Sequence, residues 1–66
     1  MMNIKMLKNL VEIAILKGHD MESMWLEIIA TCDELGIEID LMNKAMISLA
    51  ERMYRTIKGE VVCKAN

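Results

Sequence analysis

Residues 20–36 read DMESMWLEIIATCDELG, and this stretch decides the fold of the chain. Apolar residues recur in it at alternating intervals of three and four, the spacing of one face of an α-helix. That face consists of Met21, Met24, Trp25, Ile28, Ile29, Cys32 and Leu35. Asp20 can cap the helix N-terminus by accepting hydrogen bonds from its free amides, and Gly36 can end the helix in the left-handed conformation. The stretch therefore predicts a helix over 21–35.

A first helix is predicted upstream, over 4–17. Asn3 is placed to cap it, and Gly18 to end it. Between these two residues the apolar side chains fill a wide arc beside a narrow polar stripe. The apolar arc contains Ile4, Leu7, Leu10, Val11, Ala14 and Ile15.

A third helix is predicted downstream, over 40–58. Asp40 is placed to cap it and Gly59 to stop it, which leaves 60–66 as a short C-terminal tail. Its predicted apolar face is formed by Met42, Ala45, Met46, Leu49, Met53 and Ile57. The chain is therefore predicted to be all-α, a three-helix bundle that forms a single domain over 1–66.

The composition is too apolar for so short a chain. Hydrophobic residues make up 55% of the 66 residues, whereas a domain of this size buries only about 60% of the surface that its unfolded chain exposes. Either the core is crowded and some methionines are left exposed, or the surplus is covered by a second copy or a partner. The sequence keeps both explanations open.

Methionine is the most informative residue type, with eight copies in the chain. It is flexible and polarisable, so it fills irregular gaps in cores and also recurs on adaptable binding surfaces. Trp25 is either the main contact of such a surface, where tryptophan is enriched, or the largest residue of the core. The residues predicted to bind a protein partner are Met24, Trp25, Ile28, Ile29, Met42, Met46 and Met53.

Charge is distributed unevenly along the chain, although the net charge is only −2. Residues 20–40 contain acidic residues and no lysine or arginine. Acids near helix N-termini and bases near helix C-termini would account for part of this pattern, as a solvated face that complements the helix dipoles. The other explanation is an acidic second helix that attracts a basic partner surface.

The residues that could carry chemistry do not form a catalytic or metal-binding pattern. His19 is the single histidine and has no metal-ligand neighbour at a helical interval. Cys32 and Cys63 could form one disulfide, but free thiols in a reducing cytoplasm are the favoured state. Their apolar surroundings would raise the pKa of a thiol. We therefore expect no enzymatic activity, no bound metal and no cofactor.

Targeting signals and membrane spans are not expected either. No apolar run approaches the roughly 18 residues needed to cross a bilayer, and the first residues do not resemble a signal peptide because charged and polar residues interrupt them. The sequence predicts a protein of the bacterial cytoplasm or of a phage-infected host.

The outline of a helix-turn-helix is present in residues 28–45, with Gly36 in the turn. A recognition helix must present donors to the DNA bases and tolerate phosphates at its N-terminal end. The predicted start of the third helix, Glu38-Ile39-Asp40, would repel the DNA. Direct nucleic-acid binding is therefore not expected.

Residues 22–46 resemble the helical hairpin of the Sin-type anti-repressors of bacilli, small proteins that pair with the dimerisation helices of a transcriptional repressor. The resemblance is carried by Trp25-Leu26-Glu27-Ile28-Ile29, Glu34-Leu35-Gly36-Ile37-Glu38-Ile39-Asp40, Met42 and Met46. It implies that the residues interlocking with the repressor would be Trp25, Ile28, Ile29, Met42 and Met46. The chain departs from that family in having an extra first helix and a longer third helix.

A second resemblance is to the late-transcription coactivators of T-even-type bacteriophages, which sit on bacterial RNA polymerase. It is carried by Cys32-Asp33-Glu34, Ile37-Glu38, Asp40, Lys44 and Glu51-Arg52-Met53. Those proteins engage the sliding clamp through an acidic, apolar C-terminal tail, whereas residues 61–66 here contain neither an aromatic residue nor an acid. This difference puts the clamp-bridging role in doubt.

Both resemblances imply a small non-enzymatic regulator that binds a bacterial transcription protein, a repressor or RNA polymerase, through an apolar helical face. Two alternatives stay open at this point. One is a phage-encoded inhibitor of another host protein, such as an anti-CRISPR, and the other is a self-assembling structural helical bundle. A homodimer or higher oligomer is compatible with each of the three.

Overall fold

Two antiparallel helices joined by a tight turn form the first part of the fold. The computed structural model describes residues 2–65, with side chains for 2–60, and places α1 at Ile4–Leu16 and α2 at Met21–Leu35. These bounds agree with the prediction, apart from Lys17, which is the C-cap of α1. The described part of the chain contains three helices and no strand, so the all-α prediction is confirmed.

Both helices of this hairpin begin at the predicted caps. The Asn3 side chain accepts a hydrogen bond from the Met6 amide at 2.8 Å. The Asp20 side chain accepts one from the Ser23 amide, also at 2.8 Å. Each cap satisfies one of the amides that the first helical turn leaves free.

Both helices also end at a glycine, because the chain reverses there through the left-handed conformation. Gly18 has φ 78° and Gly36 has φ 68°. The residue after each glycine donates its amide to the carbonyl five residues back, from His19 to Ala14 at 3.0 Å and from Ile37 to Cys32 at 2.9 Å. This is the Schellman motif, which satisfies the last carbonyls of the helix.

The third helix, α3, spans Lys44–Ala65, so the prediction that it starts at Asp40 is wrong. The Asp40 side chain instead accepts from the amide of Met42, only two residues on, and closes a turn. Asn43 caps the helix, since its side chain accepts from the Met46 amide at 3.2 Å. Met42 therefore lies in the connection before the helix and not on the helical face to which the sequence assigned it.

The prediction that Gly59 stops the helix is also wrong. The helix passes through this residue and continues to Ala65, and a Cβ atom at Gly59 would meet nothing within 4 Å. Glycine weakens a helix interior by about 1 kcal/mol relative to alanine, which is too little to end a helix without a reversing turn after it. Residues 60–65 are thus helical backbone; the packing of the side chains of 61–66, which the sequence left open, lies outside the described residues.

The core forms where α1 packs against both other helices, while α2 and α3 contact each other less. The buried residues are Leu7, Val11, Ala14, Met24, Ile28, Cys32, Ala50 and Tyr54. Ala50 and Tyr54 were missing from the predicted apolar face of α3. That face (Met46, Leu49, Met53, Ile57) is only partly buried and packs at the margin of the core, whereas the predicted Ala45 is exposed.

Two polar contacts set the direction of α3 against the hairpin. The Trp25 indole nitrogen lies 3.4 Å from a Glu51 carboxylate oxygen. The Tyr54 hydroxyl donates to the carbonyl oxygen of His19 at 2.6 Å. Moving forward along α3 therefore corresponds to moving backward along α2, so the two helices are antiparallel.

Candidate protein-binding surface

The seven residues predicted to bind a partner do not lie on one surface. Met24 and Ile28 are 0% exposed. With Cys32 they form the inner face of α2, the side that packs into the core. A partner could touch these two side chains only if the helices separated. The structure thus gives them a packing role in the folded chain, and their role in binding stays a prediction.

Trp25 has an environment between the two that the sequence left open, a binding surface and the core. Its ring packs against the core and is partly exposed, and its indole N–H points to Glu51 of α3. A buried or half-buried indole usually has such a partner for its single donor. The residue therefore connects α2 to α3 and leaves part of its ring at the surface.

Besides the buried Met24, the other three methionines of the predicted site lie in two different places. Met42 is 86% exposed, in the connection between α2 and α3. Met46 and Met53 belong to α3 and pack against the core as partly buried side chains. Only Met42 is therefore freely available to a partner.

Sequence reasoning missed a second apolar face on α2. Leu26 is 65% exposed and Ile29 is 37% exposed. Both lie on the side of the helix away from the inner face, between the exposed carboxylates Glu22 and Asp33. We call these four residues the outer seam. Their spacing of four, three and four residues is visible in the sequence, but a pattern with apolar residues on both sides of a helix does not tell which side is buried.

The carboxylates of α2 divide into one that is paired within the chain and several that face solvent. Glu27 receives a hydrogen bond from Lys17 Nζ at 2.6 Å and also pairs with the ring of His19. The ammonium of Lys17 and then the His19 ring lower the pKa of Glu27, against the opposing effect of burial. In contrast, Glu22, Asp33 and Glu34 are exposed and form no ion pair with the basic side chains of residues 2–60. The outward side of α2 is therefore both apolar at its centre and negatively charged.

A polar cluster at the turn between α1 and α2 fixes the hairpin to α3. The Tyr54 hydroxyl donates to the His19 carbonyl oxygen and accepts from Lys58 Nζ at 3.1 Å. His19 is held in turn by Glu27. Each of these groups is engaged with another group of the chain, which gives the cluster a structural role.

The two cysteines cannot be compared directly, because the side chain of Cys63 lies outside the described residues. Cys32 is a free thiol at 1% exposure, and burial raises its pKa. In the described part of the chain, no three His, Cys, Asp or Glu side chains gather as they would around a metal ion. None of the helices described here combines the length and apolar character needed to cross a bilayer.

The helix-turn-helix outline also changes in three dimensions. Eight residues, 36–43, separate α2 from α3, whereas that motif joins its helices by about three or four. Glu38 and Asp40 lie in this connection and not at the start of a helix. They line a cleft of about 460 Å³ together with Met2, Ile39, Asn43 and Met46.

No known protein family, curated protein or solved structure matches this chain.

Proposed function

We propose that this chain is a small non-enzymatic regulator that acts by binding another protein, a repressor or RNA polymerase of the bacterial transcription machinery. The proposal places it in the cytoplasm of a bacterial or phage-infected cell. The two family resemblances supply the class of partner. The exposed apolar side chains of α2 and of the connection after it supply the means of binding.

The observation that carries the proposal is the exposure of large apolar side chains, most of which lie in α2 and the connection after it. Leu26, Leu35, Leu41 and Met42 are 65%, 64%, 44% and 86% exposed. Covering one such side chain completely would stabilise a complex by about 1.5–3 kcal/mol. A small chain that leaves several such side chains in water gains free energy when a partner covers some of them.

The groups that could perform chemistry are engaged within the chain, which favours binding over catalysis. His19 is paired with Glu27, and Tyr54 is held between a backbone carbonyl and Lys58. The thiol of Cys32 is buried, with a raised pKa that keeps it protonated and unreactive.

The test is capture of partners by the tagged chain from a nuclease-treated bacterial lysate, with identification by mass spectrometry. Nuclease treatment removes partners that are bridged by nucleic acid. Recovery of RNA polymerase or of a repressor is the expected result and would choose between the two resemblances.

Light scattering on the purified chain distinguishes the alternatives. A discrete homo-oligomer that captures no other protein would replace the proposal with a self-assembling bundle. Specific recovery of a host-defence protein would replace it with an inhibitor of that protein. A homodimer that dissociates when a transcription protein is added is compatible with the proposal.

A further inference from the structure

The outer seam has the spacing of a coiled-coil contact. Glu22, Leu26, Ile29 and Asp33 follow one another at intervals of four, three and four residues, which keeps them in line along about three turns of α2. Leu26, at the centre, is 65% exposed, and Ile29 is 37% exposed. The core lies on the side of Met24 and Ile28, and α3 reaches α2 at Trp25, one turn before the partly exposed Ile29.

The charge around this seam has one sign. Residues 20–40 contain Asp20, Glu22, Glu27, Asp33, Glu34, Glu38 and Asp40 and neither lysine nor arginine. Glu27 is neutralised from α1 by Lys17, on the flank of α2 that faces away from Ile29. The seam is thus a short apolar centre with an exposed carboxylate at each end.

We propose that the outer seam binds a single amphipathic helix of the partner protein, one that carries a leucine- or isoleucine-rich stripe flanked by lysine and arginine. The apolar stripe would cover Leu26 and Ile29, and the flanking bases would pair with Glu22 and Asp33. This inference rests on the proposed function and specifies the chemistry of the partner.

Two α2 helices from two copies of this chain do not fit each other through the seam. If two α2 helices paired antiparallel, Leu26 would lie opposite Ile29, but Glu22 would lie opposite Asp33. Parallel pairing would place each carboxylate opposite its own copy. Like charges across a helix pair are destabilising and select against that pairing.

The exposed side of α3 does not fit the seam either. Over residues 44–60, whose side chains the structure describes, it carries bases, as charge complementarity with α2 would require, but no large exposed apolar side chain to cover Leu26. The exposed residues there are Lys44, Ala45, Ser48, Arg52 and Arg55. We therefore assign the seam to a foreign helix. A homodimer in light scattering that Leu16→Asp abolishes would overturn this assignment in favour of α1 of a second copy, which exposes Ile13 and Leu16.

The test uses two designed helical peptides of three heptads, about 21 residues each, with Ile and Leu at the two seam positions. One peptide has lysine at the flanking positions, and the other has glutamate at the same positions. Fluorescence anisotropy measures binding of each labelled peptide to the full chain. We expect the lysine peptide to bind about tenfold or more tightly than the glutamate peptide, because only the former complements Glu22 and Asp33.

The decisive variant is Leu26→Asp, with Leu16→Asp as its matched control. Leu16 is 80% exposed and lies on α1, opposite its buried face. We expect L26D to weaken binding of the lysine peptide by about tenfold, and L16D to leave it unchanged. Since both variants add the same negative charge, attraction by charge alone would predict tighter binding in both.

The double variant Glu22→Lys/Asp33→Lys should reverse the preference between the peptides. Circular dichroism checks that each variant stays helical.

Three results would overturn the inference. The wild-type chain could bind the two peptides equally, it could bind neither peptide, or L26D could bind the lysine peptide as tightly as the wild-type chain does. Its failure is distinguishable from that of the proposed function. If the wild-type chain and L26D capture a transcription protein equally, the proposed function is supported and the binding of a partner helix at the seam is rejected. If the lysine peptide binds at the seam but no transcription protein is captured, the seam is supported as a helix-binding site and the proposed function is rejected.

Discussion

The two long faces of α2 both carry large apolar side chains but lie in opposite environments. The inner face (Met24, Ile28, Cys32) is at most 1% exposed, whereas Leu26 and Ile29 on the outer seam are 65% and 37% exposed. Their central apolar residues do not separate the two faces, although only the outer seam has a carboxylate at each end. What differs is that α1 and α3 pack on one side only, because two neighbouring helices cannot surround a third. The comparison suggests that the inner face stabilises the fold and that the outer seam is available for binding.

The largest expected effect comes from truncating one isoleucine on each face. Ile28→Ala should lower the free energy of unfolding by about 2–4 kcal/mol, since it leaves a cavity in the core. Ile29→Ala removes the same atoms from a partly exposed site and should cost less than about 1 kcal/mol. Urea denaturation followed by circular dichroism measures both.

If Ile28→Ala does not fold, Ile28→Val provides a milder version, with an expected loss of about 1 kcal/mol. Equal losses for alanine at the two positions would contradict the assignment of the faces.

The second prediction concerns thiol reactivity on the two faces. In a Cys63→Ser background, Cys32 should react with a disulfide reagent about a hundredfold more slowly than an unfolded thiol, because reaction requires the core to open. Burial raises the pKa of this thiol and slows the reaction further. An exposed thiol, made by Ala30→Cys with Cys32→Ala and Cys63→Ser, serves as the comparison. Similar native-state rates for the two thiols would show that the inner face is accessible.

The third prediction tests the glycines that do and do not end a helix. Gly36→Ala should destabilise the chain by about 1 kcal/mol, because φ 68° places a Cβ close to the backbone. Gly59→Ala should stabilise it by about 0.5–1 kcal/mol, since this glycine is exposed within α3 with open space around it. Thermal melts of the two variants should shift in opposite directions. A loss of stability in G59A would argue against a continuous α3.

The smallest effect on stability is expected from Glu27, which lies on the flank of α2 between the inner face and the outer seam. Lys17, followed by His19, holds the pKa of Glu27 below its ordinary value of 4.5. A carboxylate with a lowered pKa in the folded state stabilises the fold above its unfolded pKa, and this contribution disappears as the pH falls through the folded value. Wild type should therefore lose stability below about pH 4.5 more steeply than Glu27→Gln does. Glu34→Gln, which changes an exposed carboxylate, should follow the wild-type profile; identical profiles for all three would contradict the role of Glu27.

The sequence predicted the hairpin well because its signals are local. Asn3 and Asp20 cap helices through amides three residues away, and Gly18 and Gly36 reverse the chain within one turn. The connection to α3 was predicted wrongly because Asp40 and Asn43 are both good caps three residues apart. Which of them starts the helix depends on how the connection packs, and a sequence pattern does not contain that information.

The candidate site was predicted only in part, for a related reason. Trp25 and Ile29 were correctly placed on α2, but Leu26 was omitted because the pattern was fitted to one apolar face. Ala50 and Tyr54 were missed since alanine is small and tyrosine carries a hydroxyl. The Tyr54 hydroxyl can be buried because the His19 carbonyl, 35 residues away in sequence, accepts its hydrogen bond.

The sequence by itself determined the number of helices, where α1 and α2 begin and end, and the acidic character of α2. These features depend on residues within one or two helical turns of each other. Only the tertiary structure decided which apolar face of α2 is covered, where α3 begins and that Gly59 lies within it. These features depend on contacts between distant residues and on the side from which α1 and α3 approach α2. The exposure of the outer seam, to which we assign a partner helix, belongs to this second group.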